Sequence, residues 1–292
     1  MAAWLKAVDP NATFTADALK ASKRDAPEPA QKAKEPPDPQ ARPRPPSVEV
    51  APLPTPARPP GRKVVQATVL PTPEPLPFAP GTPIMTGSGI VLEGGRQVIT
   101  NRHVIDGMKA IAVRNGTGHV RSARVVKVSQ EDDLALLEID SPFPDGAALP
   151  VSEIVEPAPG RSAIVMGYPL ISVLGDEQPA LTEGIVAKAA GLANDPGTFQ
   201  MTAKINKGNS GGPIFDRRGN LIGVAVGKMD TAEIRKNGGT PVEDINFGIK
   251  ASRVLRFLGK PMGADNPRQP ELALEDLYQQ MLPRAVLVAA QK

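Results

Sequence analysis

The 292-residue chain has no cysteine, only two histidines, and ten aromatic side chains: one Trp, two Tyr and seven Phe. Without cysteine there is no disulfide scaffold, iron–sulfur cluster, thiol nucleophile or thiolate zinc site. Two histidines supply only part of a transition-metal shell, and so few aromatics leave little for the stacking platforms of single-stranded nucleic-acid binders. No metal site, no cofactor and no nucleic-acid partner are expected. Long apolar runs are also missing. The longest is the short stretch Ala285 to Ala290, far below the roughly 18 residues of a membrane-spanning helix. The start, Met1 to Pro10, lacks the basic, apolar and small-residue pattern of a secretory signal. By sequence the chain as given reads as cytoplasmic, with the compartment left open.

What is abundant is proline, with 34 residues, about twice the usual share. Twenty of these lie in residues 1–83, which also carry 11 Lys and Arg against 8 Asp and Glu. Residues 84–292 hold 23 of each charge, so the whole formal charge of +3 belongs to the first part. Residues 1–61 therefore read as a disordered Pro-rich N-terminal arm, extended and polyproline-like, acting as a semi-rigid spacer. Docking of a partner through this arm is the alternative.

From Val64 the texture changes to short β-branched runs divided by Gly, Pro and Asn. They include 64–70, 87–92, 97–100, 110–114, 120–128, 134–139, 162–166, 182–188, 199–204, 220–227 and 246–250. About eleven short strands without alternating long helices predict an all-β barrel or sandwich. Helices are predicted late, over Ala251 to Leu258 and Glu271 to Leu282. The second of these packs on its own domain or on another subunit as a homo-oligomer contact, with the first preferred.

The segment Lys204-Ile205-Asn206-Lys207-Gly208-Asn209-Ser210-Gly211-Gly212-Pro213 carries the clearest chemistry. A serine between small residues after a Gly-containing turn exposes its hydroxyl while neighbouring backbone N–H groups share the same space, the arrangement of an oxyanion hole. A hydroxyl needs a base. His119 follows the polar turn Asn115-Gly116-Thr117-Gly118 and reads as solvated, whereas His103 ends the apolar run Val98-Ile99-Thr100-Asn101-Arg102. An imidazole so placed needs a carboxylate on its second nitrogen. Asp132 and Asp133 precede the apolar run Leu134 to Leu137, and Asp133, entering the strand, is preferred.

The ordered strings Gly87-Ser88-Gly89-Ile90-Val91, Ile99-Thr100-Asn101-Arg102-His103-Val104-Ile105, Asp133-Leu134-Ala135-Leu136-Leu137 and Gly208-Asn209-Ser210-Gly211-Gly212-Pro213 resemble the trypsin-like serine proteases of the HtrA (Deg) branch. The likeness covers roughly residues 62–258. It implies two packed six-stranded β-barrels over a protease domain of residues 62–260, followed by a linker and C-terminal helical tail over 261–292. It implies a serine endopeptidase acting on protein or peptide substrates, with His103, Asp133 and Ser210 as a triad and Gly208, Asn209 and Ser210 around the oxyanion. Substrate backbone would pair with the strand holding Val224, Ala225 and Val226, and Lys204 falls where trypsin-like enzymes set the floor of the primary pocket.

Asn209 departs from zymogen-type trypsins, which carry an Asp there, so activation by cutting the arm is not expected. HtrA enzymes commonly add a peptide-binding PDZ domain, and the residues after Leu258 are too few for one. The resemblance implies a periplasmic or exported location, against the missing signal. A non-catalytic peptide-binding or scaffold module on the same fold is the second reading.

Overall fold

The computed structural model describes residues 72–79, 81–92, 94–144, 148–171, 175, 178–228, 245–262 and 270–292. The proline-rich arm and the strand expected at Val64 to Leu70 lie outside the described residues.

Two closed antiparallel six-stranded barrels make up the described chain, within one compact unit. The first uses β1 (Met85–Val91), β2 (Gln97–Asn101), β3 (Ala110–Asn115), β4 (Val120–Ser129) and β5 (Leu134–Ile139), with a one-turn helix α1 (Arg102–Ile105) after β2. The second uses β6 (Ser162–Gly167), β7 (Ala180–Lys188), β8 (Thr198–Met201), β9 (Pro213–Phe215), β10 (Leu221–Lys228) and β11 (Asn246–Lys250). Helices α2 (Ala251–Leu258) and α3 (Leu274–Met281) follow, and the chain finishes in β12 (Ala285–Gln291).

That last strand corrects the expected boundary at residue 260. Residues 261–292 are not only a linker and helix outside the domain, because β12 pairs with β1 through Gly87↔Val288 and with β3 through Val113↔Val288. It is the sixth stave of the first barrel. A short apolar run buried on both faces has no period, so sequence alone gives no sign that it pairs. The short β9, opening on a proline after two glycines, was likewise invisible to strand patterns.

Side chains alternate across each strand, and this sorts the core into three clusters. Val91, Val98, Ala135, Leu137, Val286 and Val288 fill the first barrel. Ala163, Val165, Phe199, Ile214 and Ala225 fill the second. Their strand neighbours turn the other way: Ile90, Ile99, Leu134 and Leu136 from the first barrel meet Ile164, Met166, Phe215 and Val224 from the second. The strands that meet at the barrel interface are therefore buried on both sides, which explains their unbroken apolar runs.

Both late helices seal this interface. Val254, Leu255 and Phe257 of α2 and Leu277 and Met281 of α3 join the same cluster. The apolar face of α3 packs on its own domain, as preferred, and the observed helix is three residues shorter at its start than expected. Tyr278 packs beside it and donates its hydroxyl to the Pro179 carbonyl at 2.9 Å, and burial raises its pKa.

Candidate active site

β2 ends at the buried Asn101, and the chain turns at once into α1, pinned by the buried Val104 and Ile105. His103 stands on this turn rather than at the strand end expected for it. Opposite, Asp133 immediately precedes β5, whose Leu134 pairs with Asn101. Asp133 adopts φ +51°, a left-handed conformation that Asp tolerates better than most residues. Three bonds to this residue hold it: its carbonyl accepts from the Arg102 N–H and the Asn101 Nδ2 at 3.0 Å each, and its Oδ1 accepts from the His103 N–H at 3.0 Å.

The remaining carboxylate oxygen, Oδ2, lies 2.7 Å from His103 Nδ1. An ionised carboxylate only accepts, so Nδ1 carries the proton and Nε2 is left with its lone pair free to act as a base. The imidazole is about one-third exposed and the carboxylate 16% exposed. Asp132 faces away, bonded to Arg253 at 2.9 Å and to Arg256 at 3.3 Å. These two arginines come from α2, and Arg253 also bonds Glu131 at 3.0 Å. Burial works against the Arg253 charge, yet the bonds to Glu131 and Asp132 hold its pKa above the ordinary value. The choice between the two aspartates is thus made by which one has a cationic partner from the far end of the domain.

Ser210 sits in the second of two consecutive tight turns that share Asn209. Asn209 N–H donates to Asn206 O at 3.0 Å and Gly212 N–H to Asn209 O at 2.9 Å. The third residue of each turn is a glycine at positive φ, Gly208 at +103° and Gly211 at +84°, as type II geometry demands. Neither place admits a side chain: a Cβ on Gly208 would lie 2.2 Å from Tyr168 O, and one on Gly211 would lie 2.3 Å from Ser88 O. Gly211 also approaches Thr100 and the Asn101 nitrogen at the end of β2, which seats the Ser210 turn against the strand end that leads into His103.

Among the described residues, neither the Gly208 nor the Ser210 N–H donates to a backbone carbonyl. The Asn209 N–H does, and this corrects its inclusion in the oxyanion set: its donor is taken by the turn. Asn209 is 3% exposed, and among the described residues its Oδ1 is buried without a hydrogen-bond partner.

The substrate-binding expectations divide. Val224 and Ala225 are fully buried and their backbone groups are occupied, with Ala225 O accepting from the Gly211 N–H and Ala225 N–H donating to Gly212 O, both at 2.8 Å. Val226 is half-buried and follows immediately. Lys204 is exposed, and its carbonyl accepts from Thr182 Oγ1 at 2.8 Å. His119 is not free in solvent: its Nδ1 lies 3.2 Å from Glu74.

A cleft of about 550 Å³ on the second barrel lies among Arg161, Glu183, Arg217, Arg218 and Glu271, away from these residues. Each of its arginines has a carboxylate partner, Asp216, Glu183 and Glu271 respectively. Among the described residues no group of three or more His, Cys, Asp or Glu side chains gathers that could hold a metal ion. No described helix is long and apolar enough to cross a membrane. In the sequence Ser88 shows only as a polar residue between two glycines, and Arg253 as a basic residue on an otherwise apolar helix.

Two closed antiparallel barrels, joined along one apolar interface and carrying these corners, define a trypsin-like peptidase domain, and residues 87–224 match the family of that description. Among curated relatives, an uncharacterised protein of Sinorhizobium fredii is 38% identical over 208 residues, which are 68% of this chain and 32% of that protein. The Serine protease Do-like HtrA of Lactobacillus helveticus is 30% identical over 206 residues, 68% of this chain and 48% of its own length. The mitochondrial Serine protease HTRA2 of Bos taurus is 31% identical over 185 residues, 60% of this chain and 36% of that protein. The domain is therefore related to the HtrA proteases, and the chain spans about a third to a half of these relatives' length.

Proposed function

We propose that this chain is a serine endopeptidase that cleaves protein substrates through an acyl-enzyme. Ser210 Oγ attacks the scissile carbonyl. His103 Nε2 takes the hydroxyl proton and returns it to the leaving amine, while Asp133 holds the ring in the required tautomer and stabilises the imidazolium. The Gly208 and Ser210 N–H groups receive the oxyanion. A substrate segment adds to the edge of β10 beyond Ala225, beginning at Val226, where main-chain pairing supplies affinity and side-chain pockets supply preference.

The observation that carries this reading is the Asp133 carboxylate bonded at once to the His103 backbone and ring nitrogens. A solvated or merely structural histidine has no need of that double anchor. The experiment is fluorogenic casein hydrolysis alongside labelling by a fluorophosphonate. Wild type is expected to hydrolyse and label. Ser210→Ala is expected to lose labelling and to lower turnover by about 10⁴ to 10⁶ fold. Equal turnover in both proteins overturns the proposal.

A further inference from the structure

We infer that Ser88 is a positioning residue that holds the oxyanion turn in its competent conformation, an inference that rests on the serine-protease reading above. Ser88 lies in β1 of the first barrel and is completely buried. Its side-chain bonds cross to the second barrel. Its hydroxyl donates to Gly208 O at 2.7 Å and accepts from the Tyr168 N–H at 2.9 Å. Its backbone N–H donates to Ser210 O at 2.8 Å, and its own carbonyl accepts from Thr100 Oγ1 at 2.7 Å.

The polarity of this hydroxyl is fixed, because the Tyr168 N–H can only donate to it and the Gly208 carbonyl can only accept from it. The Gly208–Asn209 peptide is thereby held at both ends: its carbonyl by Ser88 Oγ and its N–H by Asn206 O. The preceding peptide is held at its carbonyl, since Lys207 O accepts from the Leu170 N–H at 2.8 Å. The N–H of a trans peptide points opposite to its C=O, so the Gly208 N–H is aimed away from Leu170.

Gly208 has no Cβ to restrain its rotation, and the Ser88 hydroxyl supplies that restraint from outside the turn. Without the hydroxyl, the buried Gly208 carbonyl loses its side-chain donor, and rotation about the Gly208 backbone that relieves it disturbs both flanking peptides. The same atom registers the barrel carrying His103 against the barrel carrying Ser210.

The test compares full-chain wild type, Ser88→Ala and Ser88→Cys. Competent sites are counted by fluorophosphonate titration, and kcat and KM are expressed per titrated site. Affinities for a peptide aldehyde, whose adduct carries an oxyanion, and for a product peptide, which does not, are measured together. Ser88→Ala is expected to lower kcat per site by about 10 to 100 fold, below the loss of a whole oxyanion donor, with KM within about twofold. Aldehyde affinity is expected to fall in parallel and product affinity to stay unchanged. Ser88→Cys, which keeps a weak donor, is expected to fall between the two; it carries the comparison if Ser88→Ala does not accumulate folded. Unchanged kcat per site, or a loss confined to the number of titratable sites, overturns the inference while the protease reading stands. A wild type that neither labels nor turns over overturns the reading and the inference with it.

Discussion

The two barrels are built from the same number of strands but from different arrangements of chain. The second is local: all six of its strands lie between Ser162 and Lys250. The first draws five strands from Met85 to Ile139 and takes its sixth, β12, from residues 285–291 after the whole second barrel has been made. Their fillings differ as well. Phe199 fills the second barrel from a strand, whereas the strands of the first contribute Val, Ile, Leu and Ala, and its buried Phe143 comes from the segment after β5. The barrel bearing His103 and Asp133 therefore depends on sequence-distant chain for its closure, and on Arg253 of α2 for the anchoring of the loop before Asp133. Pairings at such separation cost loop-closure entropy before they return any stability.

The most drastic way to break this comparison is to delete residues 285–291. That exposes the edges of β1 and β3 and removes the buried Val286, Leu287 and Val288, each worth about 1.5–3 kcal/mol. The first barrel is expected to lose amide-exchange protection while β6 to β11 keep most of theirs. Simultaneous loss in both would show one cooperative unit instead of two.

Next in size is Asp133→Asn, which targets the chemistry of the first barrel and not its packing. Asn accepts the left-handed backbone but presents an amide to Nδ1, so kcat is expected to fall about 10⁴ fold. The thermal midpoint should change little, and calorimetry beside a turnover assay separates the two effects.

The filling difference is sharpened by Phe199→Ala against Val288→Ala. Truncating the phenylalanine is expected to cost about 3–5 kcal/mol, and the valine about 2 kcal/mol, read by urea denaturation. A larger cost at Val288 would place the weak point at the closing strand.

The smallest effect concerns the segment at residues 72–79, whose Glu74 reaches the β3–β4 hairpin of the first barrel. The Val120 N–H at 2.7 Å, and then His119, hold the Glu74 carboxyl below its usual value of 4.5. A lowered folded pKa means that this contact is fully formed above the usual value and is lost as pH falls through the lowered one. Amide-exchange protection of Glu74 and Val120, measured relative to the intrinsic rate at each pH, is expected to fall in acid for wild type. In Glu74→Gln that protection should already be low and should not depend on pH.

Much of the candidate site is legible in the sequence, because its residues lie in short local strings. The Gly208-Asn209-Ser210-Gly211-Gly212 run announces its two turns, since positive φ there requires glycine. Strand boundaries such as 134–139 and 246–250 coincide with the observed ones, because alternation and flanking turn residues are properties of a few neighbouring residues. The string does not say which N–H a turn consumes, and it is the Asn209 N–H that is bound to Asn206 O.

What the sequence determined by itself, then, was the inventory: an all-β domain, one histidine closing an apolar run and one serine in a glycine-rich turn. The tertiary structure alone decided that Ala285–Gln291 is a barrel strand, that Asp132 pairs with arginines while Asp133 meets His103, and that Ser88 ties the two barrels together. Each of these depends on partners some 80 to 200 residues away or on a choice between adjacent like residues. Local patterning encodes conformation over a few residues, whereas pairing across such distances is fixed only when the barrels close and their interface packs.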